Sequence, residues 1–375
     1  MTLPRVVRYL QQGKTLEELE REHGVVAREY NGKVSLCYHQ LDASPDDMLA
    51  RQCRGLILRK DTWDVLAYPF DRFFNHGQCQ CDDIDWTTAE VQEKLDGTLV
   101  ILYYDDGRWH AATRKSPEAA TVSQAGITYR EMADRTLQVA GWTSLEHFMK
   151  SKPTGYTYMF ELTAPENQVV CQYREARMWF LGMRDMHTFK ETSPPIYLDA
   201  AMMPAKYDAT DVDAVLRLVD SRDPLRHEGV VVVDAAFRRM KIKSDAYVAL
   251  HSDMSRSNLI AWNWRMIAPW TGIVAIILEG KDDDVEAKAS DTVRQQLAEA
   301  RRALHELFAD TWEAYKSIEH LDDMKVFSRS ASQYKWPDAL FKLKRSGQPP
   351  ELTAKATRPA KMVRMCGLDN NRGAT

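Results

Sequence analysis

Cysteines are few in this chain, and long runs of apolar residues are missing. The six cysteines are scattered over 375 residues, which favours reduced thiols over the disulfide framework of a secreted domain. Cys79 and Cys81 stand close together without a second Cys/His pair nearby, so we interpret them as loop thiols. No segment approaches the roughly 18 apolar residues of a membrane span, and residues 1–12 contain no apolar stretch of signal-peptide length. We therefore expect a cytoplasmic protein.

A strong excess of charge of one sign is also missing. The net charge is −4, which argues against a surface that is positive throughout but leaves room for the basic groove that a nucleic-acid enzyme needs. Lys and Arg are concentrated at the C-terminal end. Residues 347–375 are rich in Pro, Gly and Lys, which predicts a basic, partly disordered tail.

Periodic patterns differ before and after residue 255. The first part alternates β-like runs with amphipathic segments around 120–150 and 212–219. A capping-box sequence starting at Thr15 predicts a helix that ends near Gly24, and Asp105-Asp106-Gly107 predicts a hairpin turn. Residues 285–318 instead repeat apolar residues every three or four positions, which predicts one or two long helices. The predicted strands are 33–38, 55–58, 65–68, 99–104, 108–113, 156–162, 169–173 and 178–183.

One lysine stands in a position suited to chemistry. Lys94 lies two residues before Asp96 and three before Gly97, just ahead of the predicted strand 99–104. A loop at that place can direct an amine into a pocket, which makes Lys94 a candidate nucleophile. The pattern is short, however, and roughly one protein in ten of this length would carry it by chance. Other residues must therefore support it.

Charged residues near other predicted strand ends give this support. Arg54 begins an apolar strand, and Glu161 alternates with apolar neighbours that face away from it. Glu228 precedes Gly229 and four valines, so it lies at the mouth of a buried strand. Lys241 and Lys243 alternate with an isoleucine and share one face. Each residue alone is also typical of a surface charge, and only the series favours a site.

In this order the motifs resemble those of the covalent nucleotidyltransferases, which are ATP-dependent DNA and RNA ligases and mRNA capping enzymes. The closest resemblance is to the RNA ligase 1 family of T-even bacteriophages. It covers about residues 30–255 and fades afterwards. The stretches that carry it are Cys53-Arg54-Gly55, Arg72-Phe73-Phe74-Asn75, Lys94 to Val100, Phe160-Glu161, Ala164-Pro165, Asn167, His227-Glu228-Gly229, Lys241-Ile242-Lys243-Ser244-Asp245, Tyr247-Val248 and Leu250-His251.

The resemblance implies an α+β fold, with a nucleotidyltransferase (ATP-grasp-like ligase) domain of antiparallel sheets and flanking helices at residues 1–255. An all-helical C-terminal domain with the basic tail would follow at residues 256–375. The implied enzyme is an ATP-dependent RNA ligase that joins RNA 5′-phosphate and 3′-OH ends through a lysyl-AMP and an RNA-adenylate. It would use ATP and Mg²⁺, for which Mn²⁺ can substitute. Its implied role is RNA repair, tRNA repair included, as a monomer in the host-cell cytoplasm if a phage encodes it.

The resemblance also implies roles for individual residues. Lys94 would be the nucleophile, with Lys241 and Lys243 as catalytic partners. Asp96 would orient the lysine loop, and Gly97 would let the backbone approach the nucleotide. The implied nucleotide-binding residues are Tyr38, Arg54, Arg72, Phe74, Gly97, Arg114, Glu161, Glu228, Lys241, Lys243 and Tyr247, and the implied metal ligands are Glu228 and Asp283.

Some of these assignments leave alternatives open. The local match at Arg114 is poor, and a one-residue slip would select Lys115. Either Phe73 or Phe74 could line an adenine slot, and both could simply belong to the core. Asp283 lies in an acidic stretch that is also typical of a solvated helix N-terminus.

The proposed nucleophile needs special surroundings, because an amine with a pKa near 10 is almost fully protonated at neutral pH. We expect Lys241, Lys243, Arg54 and Mg²⁺ to penalise a charged Lys94, and the same cations to stabilise the transferred phosphate. An ATP-dependent DNA ligase is one alternative, although no β-rich oligonucleotide-binding barrel is visible after residue 255. A catalytically inactive RNA-binding protein of the same fold is another.

Overall fold

The computed structural model describes residues 3–40, 42–123, 126–192, 202–248 and 270–368. Two units are distinguished by their internal contacts, residues 1–247 and residues 248–375. The boundary expected at residue 255 falls outside the described residues. Among the helices that the structure describes, none has both the length and the apolar character needed to cross a membrane.

The first unit combines three sheets with helices on their faces. Its helices are α1 Arg5–Gln11, α2 Leu16–His23, α3 Met48–Gln52, α4 Tyr129–Val139, α5 Leu145–Met149 and α6 Val212–Asp220. Its strands are β1 Val25–Tyr30, β2 Lys33–Tyr38, β3 Arg54–Arg59, β4 Val65–Ala67, β5 Phe74–Asn75, β6 Glu90–Lys94, β7 Thr98–Asp105, β8 Arg108–Thr113, β9 Tyr156–Thr163, β10 Arg177–Asp185, β11 Glu191–Thr192, β12 Lys206–Tyr207, β13 Gly229–Val233 and β14 Arg239–Lys243.

The sheets have the strand orders β1-β2-β3-β4, β11-β10-β9-β7-β8 and β12-β6-β13-β14-β5. Every pairing is antiparallel except that of β14 with β5. The expected α+β class with antiparallel sheets and flanking helices is therefore confirmed. Burial of the apolar strand faces against these helices supplies the main stabilisation of the unit.

Several elements follow from local sequence signals. The capping box is present, since Thr15 accepts from the Glu18 amide and Glu18 reaches back to the Thr15 amide. Helix α2 ends at His23, and Gly24 is its C-cap with φ +60°. The predicted hairpin is also present. Its turn residues Asp106 and Gly107 have φ +48° and +79°, values of a turn whose twist matches that of the paired strands β7 and β8.

The predicted strand 169–173 is wrong. These residues pair with no strand of the sheet and form bends after a short 3₁₀ turn at Pro165–Asn167. The physical reason is a side chain far away in sequence. The amides of Val170 and Cys171, which a strand would use in its ladder, both donate to one carboxylate oxygen of Asp96 at 2.8 Å.

The second unit is helical throughout its described residues. Its helices are α7 Trp270–Glu279, α8 Asp282–Lys288, α9 Asp291–Ile318, α10 Met324–Ala331, α11 Pro337–Ser346, α12 Pro350–Lys355 and α13 Pro359–Met365. The predicted segment 285–318 thus forms parts of two helices. The expectation of a partly disordered tail is wrong for residues 350–365, because Ala354 and Met362 are fully buried there.

Candidate active site

Three adjacent strands of the third sheet bring the candidate residues together. Strand β6 ends at Lys94, β13 begins directly after Glu228, and β14 ends at Lys243. Gly229 lies opposite Lys94 on one side and opposite Lys243 on the other. A Cβ at this position would lie 2.1 Å from the carbonyl oxygen of Ile242, and φ is +153°. Only glycine therefore lets the strands approach this closely.

Glu228 joins the two lysines. Its Oε2 lies 2.7 Å from Lys94 Nζ and its Oε1 lies 3.0 Å from Lys243 Nζ. The Glu228 side chain is 4% exposed, against 22% for Lys94 and 11% for Lys243. Burial acts to raise the pKa of the Glu228 carboxyl, but the two ammonium groups outweigh it and hold the pKa below its usual range. The carboxylate is therefore ionised and divides its two oxygens between two amines.

This arrangement differs from the expected ring of positive groups around Lys94. The lysine does lie in the sheet close to Lys243, but the charged group at 2.7 Å is the Glu228 carboxylate. An ion pair of this kind stabilises an ammonium group. Lys94 can therefore act as a nucleophile only once its proton has left and its contact with Glu228 has weakened.

Glu161 faces the same place from the second sheet. Its neighbours Phe160 and Leu162 are fully buried in the core of the unit, so the alternation along β9 turns Glu161 to the opposite face. Burial raises the pKa of Glu161 to about 7, even though Lys94 and Arg54 act to lower it. At neutral pH this carboxyl is thus divided between a neutral form that donates a hydrogen bond and an ionised form that accepts one.

Asp96 holds the loop that follows Lys94. Its side chain is buried and accepts from the amides of Val170 and Cys171, while its own amide donates to the Tyr173 hydroxyl at 2.9 Å. A carboxylate that accepts several backbone hydrogen bonds in the interior fixes the backbone that carries it. The geometry agrees with an orienting role for Asp96 with respect to Lys94.

Gly97 is crowded by the protein itself. A Cβ at residue 97 would lie 2.3 Å from the carbonyl oxygen of Leu162 and 3.2 Å from Cγ of Glu161. Glycine here therefore lets the start of β7 pass close to β9, which places the lysine loop next to Glu161. A close approach of the Gly97 backbone to a nucleotide stays a prediction.

A group of cations and one aromatic ring lies at the ends of β2, β3 and β8. The guanidinium carbon of Arg72 is 4.5 Å from the ring centroid of Tyr38, and that of Arg114 is 5.8 Å from it. Burial, together with Arg114, lowers the pKa of Arg54. Within the described residues, the buried Nη1 of Arg54 has no hydrogen-bond partner. Arg114 is half-buried and Lys115 is exposed, so the geometry favours Arg114 of the two.

Both neighbouring phenylalanine rings lie near cations: the guanidinium carbons of Arg51 and Arg72 are each 5.0 Å from the Phe74 ring centroid, whereas Phe73 lies near Arg54 and Lys241. The Phe73 ring centroid is 5.7 Å from the guanidinium carbon of Arg54 and 5.8 Å from Nζ of Lys241. Phe74 is 2% exposed and Tyr247 is 1% exposed. These two rings offer almost no surface to a nucleotide, so the structure favours Phe73 over Phe74 as a nucleotide contact. Tyr247 instead supports Lys243, because the Nζ of Lys243 lies 5.6 Å from the ring centroid of Tyr247.

The two implied metal ligands belong to different units, Glu228 to the first and Asp283, in α8, to the second. Its neighbour Asp282 is buried and pairs with Arg301 at 2.7 Å, and burial raises the pKa of Asp282 to about 6. In the part of the chain that the structure describes, no group of three or more His, Cys, Asp or Glu side chains forms a ready-made metal site.

Sequence comparison identifies the family. A family model described as RNA ligase, of the T4 RNA ligase 1 type, matches residues 52–247. This range is just over half of the chain and contains the candidate site residues apart from Tyr38 and Asp283. The chain therefore belongs to this RNA ligase family.

Individual relatives cover parts of the chain. It is 29% identical over 267 residues to an Autographa californica nuclear polyhedrosis virus protein named as a bifunctional polynucleotide kinase/RNA ligase, with 66% of this chain and 36% of the relative covered. It is 30% identical over 196 residues to the RNA ligase of Rhodothermus phage RM378, with 44% of each covered. The chain thus spans between about a third and a half of the length of these curated relatives.

Among solved structures, the chain is similar to an archaeal ATP-dependent RNA ligase. The identity is 14%, the coverage is 81% of this chain and 83% of that chain, and the TM-score is 0.44. A Naegleria gruberi RNA ligase variant solved with ATP and Mn is 17% identical over 48% of this chain and 53% of that chain, with a TM-score of 0.34.

Proposed function

We propose that the chain is an ATP-dependent RNA ligase that joins RNA 5′-phosphate and 3′-OH ends, cleaved tRNA included. The observation that carries the proposal is the meeting of Lys94, Glu228 and Lys243 at the ends of three adjacent strands, in a chain of the RNA ligase family. We further propose that the enzyme acts as a monomer in the cytoplasm, the host-cell cytoplasm if a phage encodes it.

The proposed reaction has three steps. The neutral amine of Lys94 attacks the α-phosphorus of ATP, the bond to the β-phosphate oxygen breaks, and pyrophosphate leaves, so that AMP is bound to the lysine by a P–N bond. An oxygen of the RNA 5′-phosphate then displaces the lysine and takes the AMP. Finally, the 3′-OH attacks the RNA 5′-phosphorus, AMP leaves, and a 3′,5′-phosphodiester remains.

The positive groups around the site suit the phosphates. We propose that Lys241, Lys243 and the buried Nη1 of Arg54, which has no hydrogen-bond partner among the described residues, stabilise the negative oxygens during in-line displacement. We propose that Glu228 would release Lys94 on taking up a divalent cation as its ligand, which would help the amine to lose its proton.

Other residues would hold the nucleoside. We propose that Glu161 binds the ribose hydroxyls, which fits a carboxyl whose pKa of about 7 lets it donate or accept. The Tyr38 ring, with Arg72 and Arg114 over it, would contact the base and the phosphates. Phe73 is the better candidate for the adenine slot, whereas the buried rings of Phe74 and Tyr247 would support the site from behind. The Gly97 backbone would approach the nucleotide.

A divalent cation, Mg²⁺ with Mn²⁺ as a substitute, is part of the proposal. Such hard cations prefer carboxylate and phosphate oxygens and keep waters, and the ionised Glu228 offers the right donor atoms close to the amine. When bound, the cation would neutralise phosphate charge. Asp283 stays a second proposed ligand. Replacing it with Asn should raise the Mg²⁺ concentration needed for half-maximal labelling by ATP.

Incubation with α-³²P-ATP and Mg²⁺, followed by denaturing electrophoresis, tests the proposal. The wild-type chain should carry a labelled band, Lys94→Ala should carry none, and Lys243→Ala should be labelled more slowly. Lys206→Ala is a matched control, because Lys206 is an exposed lysine on β12, the strand next to β6. It forms an ion pair with Glu90, which lies on β6 together with Lys94. Labelling of Lys206→Ala should equal that of the wild type.

The outcomes separate the alternatives. A wild-type chain without label would favour an inactive RNA-binding protein of the same fold and would refute the ligase. A labelled chain that seals nicked DNA but not 5′-phosphorylated RNA would refute the RNA substrate and favour a DNA ligase.

A further inference from the structure

Arg114 lies in a tight turn that the proposed mechanism uses but does not explain. The amide of Thr113 donates to the carbonyl oxygen of Ser116 at 2.9 Å, and the amide of Ser116 donates back at 3.2 Å. The turn packs on Gly55, the residue after Arg54, where a Cβ would lie 3.0 Å from Cα of Arg114. With φ +92° at Gly55, only glycine leaves this space.

The chain that leaves the turn is fixed by a group of largely buried polar and charged side chains, which we call the Lys33 cluster: Lys33, Asp105, His110 and Glu118. Oε1 of Glu118 lies 2.9 Å from Nζ of Lys33 and 3.1 Å from Nδ1 of His110. Nζ of Lys33 is 3.1 Å from the same ring nitrogen and 3.6 Å from Oδ2 of Asp105. Lys33 is 4% exposed and His110 is 2% exposed. Nothing in the proposed reaction uses these four groups.

The cluster is built as an ion pair and not as a neutral network. Burial acts to raise the pKa of Glu118, but its hydrogen bonds with Lys33 and His110 outweigh burial and lower it. Charges are costly to bury, and a buried ion group that contributes little net stability can still fix one geometry among several. The question is which geometry this cluster fixes.

The cluster stands at one end of two strands whose other ends meet at the candidate site. Lys33 begins β2 and Tyr38 ends it, while His110 lies in β8, which ends one residue before Arg114. Fixing Lys33 against His110 therefore sets the position at which the Arg114 guanidinium reaches the Tyr38 ring, 5.8 Å away.

Two contacts then fix the segment that returns from the turn. Glu118 joins the Lys33 cluster, and the hydroxyl of Tyr103 donates to the carbonyl oxygen of Pro117 at 3.0 Å. Without them, the turn would depend more heavily on the backbone bonds between Thr113 and Ser116. A mobile turn would lose the preorganised donor that phosphate binding needs.

We propose that Glu118, held by Lys33 and His110, is a positioning residue that fixes Arg114 beside Tyr38 for binding of the ATP phosphates. The inference rests on the proposed function, because the role of Arg114 is itself part of that proposal. Glu118 does not touch the nucleotide and acts through Arg114 alone.

A double-mutant cycle tests this directly. The rate of labelling is measured against ATP concentration for the wild type, Glu118→Gln, Arg114→Ala and the double variant. Because each chain is labelled once, KM here is the ATP concentration at half the maximal labelling rate, and kcat is that maximal single-turnover rate. Loss of one charged hydrogen bond to phosphate in Arg114→Ala should raise KM by about tenfold or more. Glu118→Gln should raise KM by roughly threefold to tenfold with little change in kcat, and should add nothing in the Arg114→Ala background.

A control and a milder variant keep the test decisive. Glu146 also fixes β8, through a 2.7 Å bond from the Trp109 amide, but far from the turn, so Glu146→Gln should leave KM unchanged. Tyr103→Phe removes the hydrogen bond to Pro117 and so loosens the same turn without altering a charge. If Glu118→Gln does not fold, Tyr103→Phe takes its place in the test and should raise KM in the same way. An equal rise in KM in both backgrounds, or no rise at all, would overturn the positioning role. A wild-type chain that ATP does not label would overturn the proposed function as well, and the two failures are therefore distinct.

Discussion

Replacement of Glu161 by glutamine should make the chain more stable at high pH. Glutamine keeps the shape of the side chain and removes its ionisation. In the folded chain burial raises the pKa of Glu161 to about 7, from an ordinary value of 4.5. The neutral form is thus favoured by folding. The wild type should lose stability as the pH rises from about 4.5 to about 7, because the unfolded chain ionises this group first.

The size of the effect follows from the two pKa values. At pH 8 the ionised, half-buried carboxylate should lower the free energy of unfolding by about 3 kcal/mol relative to a group that does not titrate. Urea unfolding of the wild type and Glu161→Gln at pH 4.5, 6, 7 and 8 measures the difference in their free energies of unfolding. Glu161→Gln should be more stable by nearly zero at pH 4.5 and by about 3 kcal/mol at pH 8.

A second variant checks the sign of the pH dependence of stability. Hydrogen bonds from the amide and hydroxyl of Thr128 lower the pKa of Glu131, so that carboxylate stabilises the fold above its ordinary pKa, and Glu131→Gln should be less stable than the wild type at neutral pH. If the stability gained in Glu161→Gln stays constant with pH, or shrinks as the pH rises, the raised pKa of Glu161 in the folded chain is refuted.

Three further predictions concern stability and nucleotide binding. Glu228→Gln leaves the Lys94 and Lys243 amines side by side without their carboxylate and should lower the free energy of unfolding by about 3 kcal/mol in urea; an unchanged midpoint would contradict the ion pairs. Gly97→Ala should lower the melting temperature clearly, because the new Cβ would lie 2.3 Å from the carbonyl oxygen of Leu162. Gly155→Ala should change the melting temperature little, because the new Cβ would meet the movable His187 ring at 3.3 Å. Equal shifts would argue against the close approach of the strands. Phe73→Ala should weaken ATP binding with little loss of stability, and Phe74→Ala should cost about 3 kcal/mol of stability; the reverse pattern would assign the adenine slot to Phe74.

The parts of the fold that local patterns specify could be predicted from the sequence. The capping box of α2, the hairpin turn at Asp106-Gly107 and the alternation of Lys241 and Lys243 each depend on residues within a few positions of one another. Short-range geometry decides such features, so the sequence is enough.

The features that were missed depend on contacts between distant residues. A strand at 169–173 was plausible from its apolar content, but Asp96 takes the amides that a ladder would need. Similarly, Lys94 and Glu228 are 134 positions apart. Only the register of β6 and β13 places their side chains together, and no local pattern shows that a carboxylate would occupy the space expected for cations.

The choice between Phe73 and Phe74 follows from the two-residue period of a strand, once the pairing of β5 with β14 is known. Phe74 lies beside Met240 in the parallel pairing of β5 with β14, and Met240 is buried. Lys241 therefore faces the other way, together with Phe73. The signal was present in the sequence, but it becomes usable only once the pairing of these two strands is known.

The covalent attachment of AMP to Lys94 is the most direct test of the central claim. The purified chain is incubated with ATP and Mg²⁺, digested, and analysed by mass spectrometry under conditions that preserve P–N bonds. The peptide that contains Lys94 should gain the mass of one AMP, and the same treatment of Lys94→Ala should yield no modified peptide. AMP on a different residue, or none on the wild type, would contradict the account.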